Sequence, residues 1–326
     1  METLARASTV IGGAMRPTPE YTWPLLNQRV GAEVWVKHEN HSPVGAFKIR
    51  GGLVYMDWLA QTQPKVEGVV AATRGNYGQA VGFAARRYGL KTIAVVPFGN
   101  SREKNRAMRA LGVELVEHGE DFQAASEFAD ELAIDRGYHR VPSFHQLLIN
   151  GTGTLALELL RGAPELDTVY VGIGLGSTIC GMMAARSALN LRTRIVGVVA
   201  AASPSYAVSF REKRAVSCPA ETKLADGLAC RTPNPEALRL ILNGGERIVE
   251  VTEPEIARAM VALYEDTHNV AEGAGAAALA GLMQERDRMS DKRVGIVLSG
   301  ANVDREVFAR VLTQAGEEQP PESIGV

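Results

Sequence analysis

Beyond residue 66, short apolar runs alternate with longer stretches in which apolar positions recur at helical spacing. Gly68-Val69-Val70-Ala71-Ala72, Thr92-Ile93-Ala94-Val95-Val96 and Val113-Glu114-Leu115-Val116 read as strands, and Gln79–Tyr88, Arg102–Leu111 and Phe122–Asp135 as the helices around them. The pattern restarts with Thr154–Leu160, Thr168–Val171, Ile179–Leu189 and Arg194–Val199. It closes with helices Glu253–Thr267 and Ala274–Glu285 and strand Val294–Leu298. Short buried strands alternating with amphipathic helices predict parallel sheets covered by helices. Two α/β units are expected, with a site between them.

Ahead of this region, Arg16-Pro17-Thr18-Pro19 and Trp23-Pro24-Leu25-Leu26 read as a proline-punctuated extended arm. Val34-Trp35-Val36 reads as a strand and leads through His38–Gly45 into a helical segment, so Lys48 falls where strand gives way to helix. A Pro-x-Gly turn precedes it, Phe47 adjoins it, and Arg50-Gly51-Gly52 lets backbone approach closely. A lysine in such an apolar, turn-defined setting loses its proton readily, which suits it to attack a carbonyl. The alternative is an ordinary surface lysine.

Two further loops follow the same strand-to-helix plan. Thr73-Arg74-Gly75-Asn76-Tyr77 leaves unpaired amides at a helix start, a seat for a carboxylate, unless it is a plain turn. The Arg74 fork suits bidentate pairing with a second anionic group, or turns to solvent or a loop acid. Gly172-Ile173-Gly174-Leu175-Gly176 predicts a phosphate seat. A dinucleotide reading fails there: the third fingerprint glycine is Ser177, and Val196–Ala201 contains no acid for a ribose.

Composition narrows the classes. With 326 residues and 46% hydrophobic content the chain can bury one large core or two unequal ones. A net charge of −2 and a pI near 6.3 provide no general attraction to nucleic acid or anionic membrane. Cys180, Cys218 and Cys230 lack metal-ligand spacing and are odd in number, which points to reduced thiols and a cytoplasmic setting. Met1–Met15 carries Glu2 and Arg6 without a signal-like apolar core, and no later run has the apolar length of a membrane helix.

Ala46-Phe47-Lys48-Ile49-Arg50-Gly51 resembles the Ser-Phe-Lys-x-Arg-Gly signature of the serine/threonine dehydratase family, fold-type II enzymes that use pyridoxal phosphate (PLP), with Ala46 in place of serine. Thr73–Tyr77 resembles the family's Ser-x-Gly-Asn-His substrate loop. The Gly172–Gly176 loop is similar to its glycine tetrad, interrupted by Ile173 and Leu175. Glu272-Gly273-Ala274-Gly275-Ala276 resembles its Glu-Pro-Ser-Gly-Ala element, and Ser299-Gly300-Ala301-Asn302 its Ser-Gly-Gly-Asn. These motifs stand in the family's order, and the resemblance spans roughly 16–315.

The resemblance implies a tryptophan synthase β-like architecture: a large PLP-binding domain of 1–66 and 147–326, with a small substrate-loop domain of 67–146. By it, Lys48 bonds PLP and moves the proton; Phe47, Asn76, Gly172, Ile173, Gly174, Leu175, Gly176, Glu272 and Ser299 hold the cofactor; and Thr73, Arg74, Gly75, Asn76 and Tyr77 face the substrate. Arg74 stands where racemising members carry a serine, which implies elimination rather than racemisation. Ser203 and Ser209 fall where metal-activated members supply acids, so no divalent site is expected. Lys223–Leu228 is family-like and is assigned no chemistry.

The implied activity is α,β-elimination from a 3-hydroxy amino acid, L-threonine or L-serine by default and 3-hydroxyaspartate through Arg74. A β-replacement synthase is the rival within the fold, and a binding module without turnover the rival outside it. A homodimer is implied. A polar tail is expected at Gly316–Val326, with no regulatory domain and no feedback control by isoleucine.

Overall fold

In the computed structural model, which describes residues 1–317, two parallel sheets carry the chain. The strands of the described residues are β1 (Glu20–Thr22), β2 (Glu33–His38), β3 (Gly68–Ala72), β4 (Lys91–Val96), β5 (Glu114–Glu117), β6 (His139–Arg140), β7 (Thr168–Gly172), β8 (Arg194–Ala200), β9 (Arg247–Val251) and β10 (Arg293–Leu298). One sheet has the order β1-β2-β10-β7-β8-β9, parallel except for β1, which pairs antiparallel to β2. The other runs β5-β4-β3-β6, all parallel. Val69–Ala72, Ile93–Val96 and Val294–Leu298 are almost wholly sealed, as expected for strands covered on both faces.

The strand ends carry the chemistry. β2 leads to Lys48, β3 to Thr73–Tyr77, β7 to the glycine loop and β10 to Ser299. In open parallel sheets the carboxyl ends of the strands lie together, and loops leaving them meet in a crevice.

Most elements match the sequence pattern within a residue or two; the segment expected at Thr154–Leu160 is the end of a longer helix, Gln146–Gly162, and three further differences have identifiable reasons. The helix expected from Gln79 begins at Asn76, because Gly75 turns at φ +137° and Thr73 Oγ1 accepts the Gly75 and Gly78 amides at 2.8 and 3.0 Å. The arm is extended only as far as Trp23: Pro24–Val30 is a helix, with proline at its first position and Leu26 and Val30 buried one turn apart. Glu2–Gly12 is also helical and buries Leu4, Ala7 and Ile11 against helices Gln146–Gly162 and Lys48–Thr62. Of the expected tail, Gly316 and Glu317 end helix Arg305–Glu317, and 318–326 lie outside the described residues. No helix of the described residues is long and apolar enough to cross a membrane.

A buried ionic network sits behind the Lys48 helix. Arg50 is fully buried, and its guanidinium donates to both carboxylate oxygens of Glu39 at 2.8 and 2.9 Å and to both of Glu158 at 2.7 Å. It also reaches Thr154 Oγ1 at 2.9 Å and Thr18 Oγ1 at 3.1 Å. Lys37, equally sealed, lies 2.7 Å from Glu20 and from Glu158. Burial disfavours the Arg50 charge, but Glu39 and Glu158 outweigh it and raise its pKa. Helix Lys48–Thr62 is thus tied to the turn after β2 and to helix Gln146–Gly162.

Removing one partner of such a network leaves an unanswered buried charge. Arg50→Met is expected to lower unfolding stability by about 3–5 kcal/mol, read as a shift in the urea midpoint. Adding Glu39→Gln is expected to recover part of that loss; strictly additive losses would show that the pair is not coupled.

Candidate active site

Lys48 is placed by a strap zipped across the end of β10. Ser42 Oγ bonds both the N–H and the carbonyl of Ala46, closing the turn. Ala46 bridges to Gly300, Ala301 N–H donates to the Gly45 carbonyl, and Phe47 N–H to the Ser299 carbonyl. The Lys48 Nζ stands 4.5 Å from the Phe47 ring centroid and has no hydrogen bond or ion pair among the described residues. Burial lowers its pKa; Glu272 and Asp226 oppose this and Lys104 adds to it. An amine so placed is unprotonated at lower pH than an ordinary lysine.

Lys48 faces a cleft that also receives Phe47, Thr73–Tyr77, Glu272, Ser299 and most of the glycine loop. In the Thr73–Tyr77 loop the parts divide. The Thr73 hydroxyl and the Gly75 amide are spent on each other, so that amide is not the carboxylate donor expected of it. Gly75 instead supplies room, since a side chain there would strike Lys104. The amides of Asn76 and Tyr77, in the first turn of their helix, remain available. Tyr77 lines the cleft through its ring, while its hydroxyl donates to the Pro142 carbonyl at 2.6 Å and is not free for a ligand. Arg74 lies half-buried in that wall with no partner among the described residues.

The glycine loop is used one step later than expected. Gly172, Gly174, Leu175 and Gly176 line the cleft, but Ile173 does not. Its side chain fills the core over Gly197, and its amide donates to the Val198 carbonyl at 2.8 Å, so Ile173 contributes no anion donor. Ser177 and Thr178 line the cleft in its place, opening helix Ser177–Ala188. Cys180 is the first residue there to bond back, to the Gly176 carbonyl, which leaves the preceding amides for an anion. Gly174 must be glycine, because a Cβ would sit 2.3 Å from the Gly227 carbonyl oxygen. Hydroxyl residues directly after the last loop glycine were the available signal for this shift.

Deeper in, Glu272 Oε1 accepts from Asn76 Nδ2 at 2.5 Å, while Asn302 donates to Asn76 Oδ1 at 2.9 Å. Glu272 Oε2 lies 3.1 Å from the Lys104 ammonium, close enough for an ion pair but not aligned as a hydrogen bond. Lys104 also donates to Asp226 at 2.9 Å. Burial disfavours the Lys104 charge, yet Glu272 and Asp226 raise its pKa overall. Neither Lys104 nor Asp226 was singled out from sequence: one sits on an amphipathic helix, the other in Lys223–Leu228, and only the fold joins them. Ser299 Oγ donates to the Ala274 carbonyl over a long 3.3 Å, a bond easily exchanged for a better acceptor.

The profile of the family described as pyridoxal-phosphate dependent enzyme matches residues 11–300. The chain is 32% identical over 315 residues to the L-threonine ammonia-lyase of Thermotoga maritima, covering 96% of this chain and 78% of that protein. It is 29% identical to the L-threo-3-hydroxyaspartate ammonia-lyase of Saccharomyces cerevisiae, covering 97% of this chain and 96% of the relative. The crystal structure of a pyridoxal 5'-phosphate-dependent aspartate racemase superposes with a TM-score of 0.88 at 28% identity, over 94% of this chain and 97% of that one.

Lys104 neutralises two acids that otherwise act on Lys48. Lys104→Gln removes a charge that lowers the Lys48 pKa and exposes it to Glu272 and Asp226, which raise it. The pH midpoint for modification of Lys48 by a small amine reagent, followed by peptide mapping, is expected to move upward. An unchanged or lower midpoint would show that Lys104 does not set the charge of this site.

Proposed function

The chain belongs to the family of pyridoxal-phosphate dependent enzymes, and from that premise we propose that it is a dehydratase releasing ammonia and a 2-oxo acid from a 3-hydroxy amino acid. One observation carries the reading: a half-buried, unpaired lysine amine, its pKa lowered by desolvation, faces the same cleft as an amide-rich anion seat and the Thr73–Tyr77 loop. The names of the relatives, an L-threonine and an L-threo-3-hydroxyaspartate ammonia-lyase, support elimination from this substrate class.

The residues fit the cofactor. Gly174 and Gly176 keep side chains out of a loop whose following first-turn amides suit a phosphate, and Lys48 has no competing partner. Gly172, Gly174, Leu175, Gly176, Ser177 and Thr178 would hold the phosphate, Phe47, Asn76 and Glu272 would border the ring, and Ser299 would meet its nitrogen. When bound, pyridoxal phosphate supplies the electron sink that makes the substrate α-proton removable, which no side chain does alone.

The chain's own part is proton handling and orientation. The amides of Asn76 and Tyr77 receive the α-carboxylate. Lys48, its pKa lowered by desolvation, takes the α-proton. As the Cβ–O bond breaks, the hydroxyl leaves as water with a proton, and the proton Lys48 has gained is one this chain can return. Hydrolysis consumes one water and yields the 2-oxo acid and ammonia, so the net reaction is redox-neutral.

The division into 1–66 with 147–326 and 67–146 is part of this proposal. It is supported by the β5-β4-β3-β6 sheet, whose strands all come from the inserted segment and which brings Thr73–Tyr77 and Lys104 to the cleft. A homodimer is supported by the exposed Tyr21, Leu25 and Tyr264, and cytoplasmic residence by three free cysteines.

The loaded protein is expected to release 2-oxo acid from L-threonine, L-serine or a 3-hydroxyaspartate, and Lys48→Ala to lower turnover by about 100- to 10,000-fold. Borohydride treatment should fix the cofactor's mass on the Lys48 peptide of the native protein. Undiminished turnover by Lys48→Ala would remove the lysine from the chemistry.

A further inference from the structure

Charge pairing in the cleft leaves Arg74 over. Lys104 is answered by Asp226 and Glu272, and desolvation lowers the Lys48 pKa, whereas Arg74 lines the same cleft half-buried with no hydrogen bond or ion pair among the described residues. Withdrawing a guanidinium even partly from water without a counter-charge costs free energy, which a ligand carrying that charge recovers.

The backbone presenting Arg74 is fixed on both sides. Thr73 holds the Gly75 and Gly78 amides, and Asn76 is bound to Glu272 and Asn302. The other anions expected in the cleft have their own donors: the α-carboxylate has the Asn76 and Tyr77 amides, and a phosphate has the start of helix Ser177–Ala188. The Arg74 fork is left for an anion on the remaining variable part of the substrate, the group borne by the β-carbon.

We infer that Arg74 receives a second carboxylate, so that the preferred substrates are dicarboxylic 3-hydroxy amino acids, of which 3-hydroxyaspartate is the small member with that carboxylate on the β-carbon. This rests on the dehydratase reading. The balance is unchanged: the α-proton moves to Lys48, the Cβ–O bond breaks with loss of water, and hydrolysis gives ammonia and a four-carbon 2-oxo dicarboxylic acid. The guanidinium gives planar, bidentate recognition that a lysine at this position does not reproduce.

The test compares kcat/KM of the loaded enzyme for the L-threo and L-erythro forms of 3-hydroxyaspartate with those for L-serine and L-threonine. It is repeated with Arg74→Gln and Arg74→Lys. At least one 3-hydroxyaspartate should be preferred, and Arg74→Gln should lower the ratio of its kcat/KM to that of L-serine by about 100-fold, with Arg74→Lys in between. Independently of turnover, calorimetry should show succinate, an amine-free dicarboxylate, binding the native holoenzyme at least about tenfold more tightly than Arg74→Gln.

Preference of the native enzyme for L-serine or L-threonine overturns the inference while leaving the dehydratase intact. An unchanged ratio in Arg74→Gln, or equal succinate binding, also overturns it. Absence of 2-oxo acid from every substrate overturns the dehydratase reading, and the inference with it.

Discussion

The geometry of the cleft depends on a guanidinium that never touches it. Arg50, two residues after Lys48 in the same helix, is sealed between Glu39 and Glu158, with the hydroxyls of Thr18 and Thr154 accepting its further N–H bonds. Glu39 follows β2, Glu158 lies on helix Gln146–Gly162, and Thr18 belongs to the N-terminal arm, so one side chain joins parts of the chain distant in sequence. A buried ionic cluster contributes little net stability over a well-packed apolar one, but it fixes direction, because its hydrogen bonds work in few arrangements. Direction is what Lys48 needs, since its amine must stay free of the acids that surround the cleft.

Lys104 performs the complementary task across the opening. It stands on helix Arg102–Ala110, beside the four-stranded sheet, and pairs with Asp226 and Glu272, which belong to the rest of the chain. Ser101 donates to Asp304 at 2.5 Å nearby, adding a polar tie between the same parts. The two sides of the cleft are therefore coupled by charge at the depth where Asn76 and Glu272 meet. A cation there compensates two acids and lets burial govern the state of Lys48. Arg74, in the same cleft, has no ion-pair partner among the described residues.

Strands were legible in the sequence because continuous Val, Ile and Ala runs have little use in this setting outside a doubly covered sheet, and the ends of β3, β7 and β8 follow those runs closely. The helix at Pro24–Val30 was hidden by its proline, which reads as a breaker until its place at the first turn is known. Of the site, Lys48, Asn76, Gly174 and Ser299 stood out because the segments carrying them resemble one family's motifs in that family's order; taken singly, each also reads as a surface lysine or an ordinary turn. Ile173 was misplaced because a loop's sequence does not reveal which amides its own sheet consumes.

By itself the sequence determined the parallel α/β architecture, the strand-to-helix loops and the lysine, since these follow from local periodicity, turn chemistry and motif order. The tertiary structure decided which groups remain unpaired. The hydroxyls of Thr73 and Tyr77 and the amides of Gly75 and Ile173 are spent on neighbours, Lys104 is claimed by two acids, and Lys48 and Arg74 are left free. Pairing is a property of distances between residues far apart in the chain, and it is the unpaired groups that remain for a ligand.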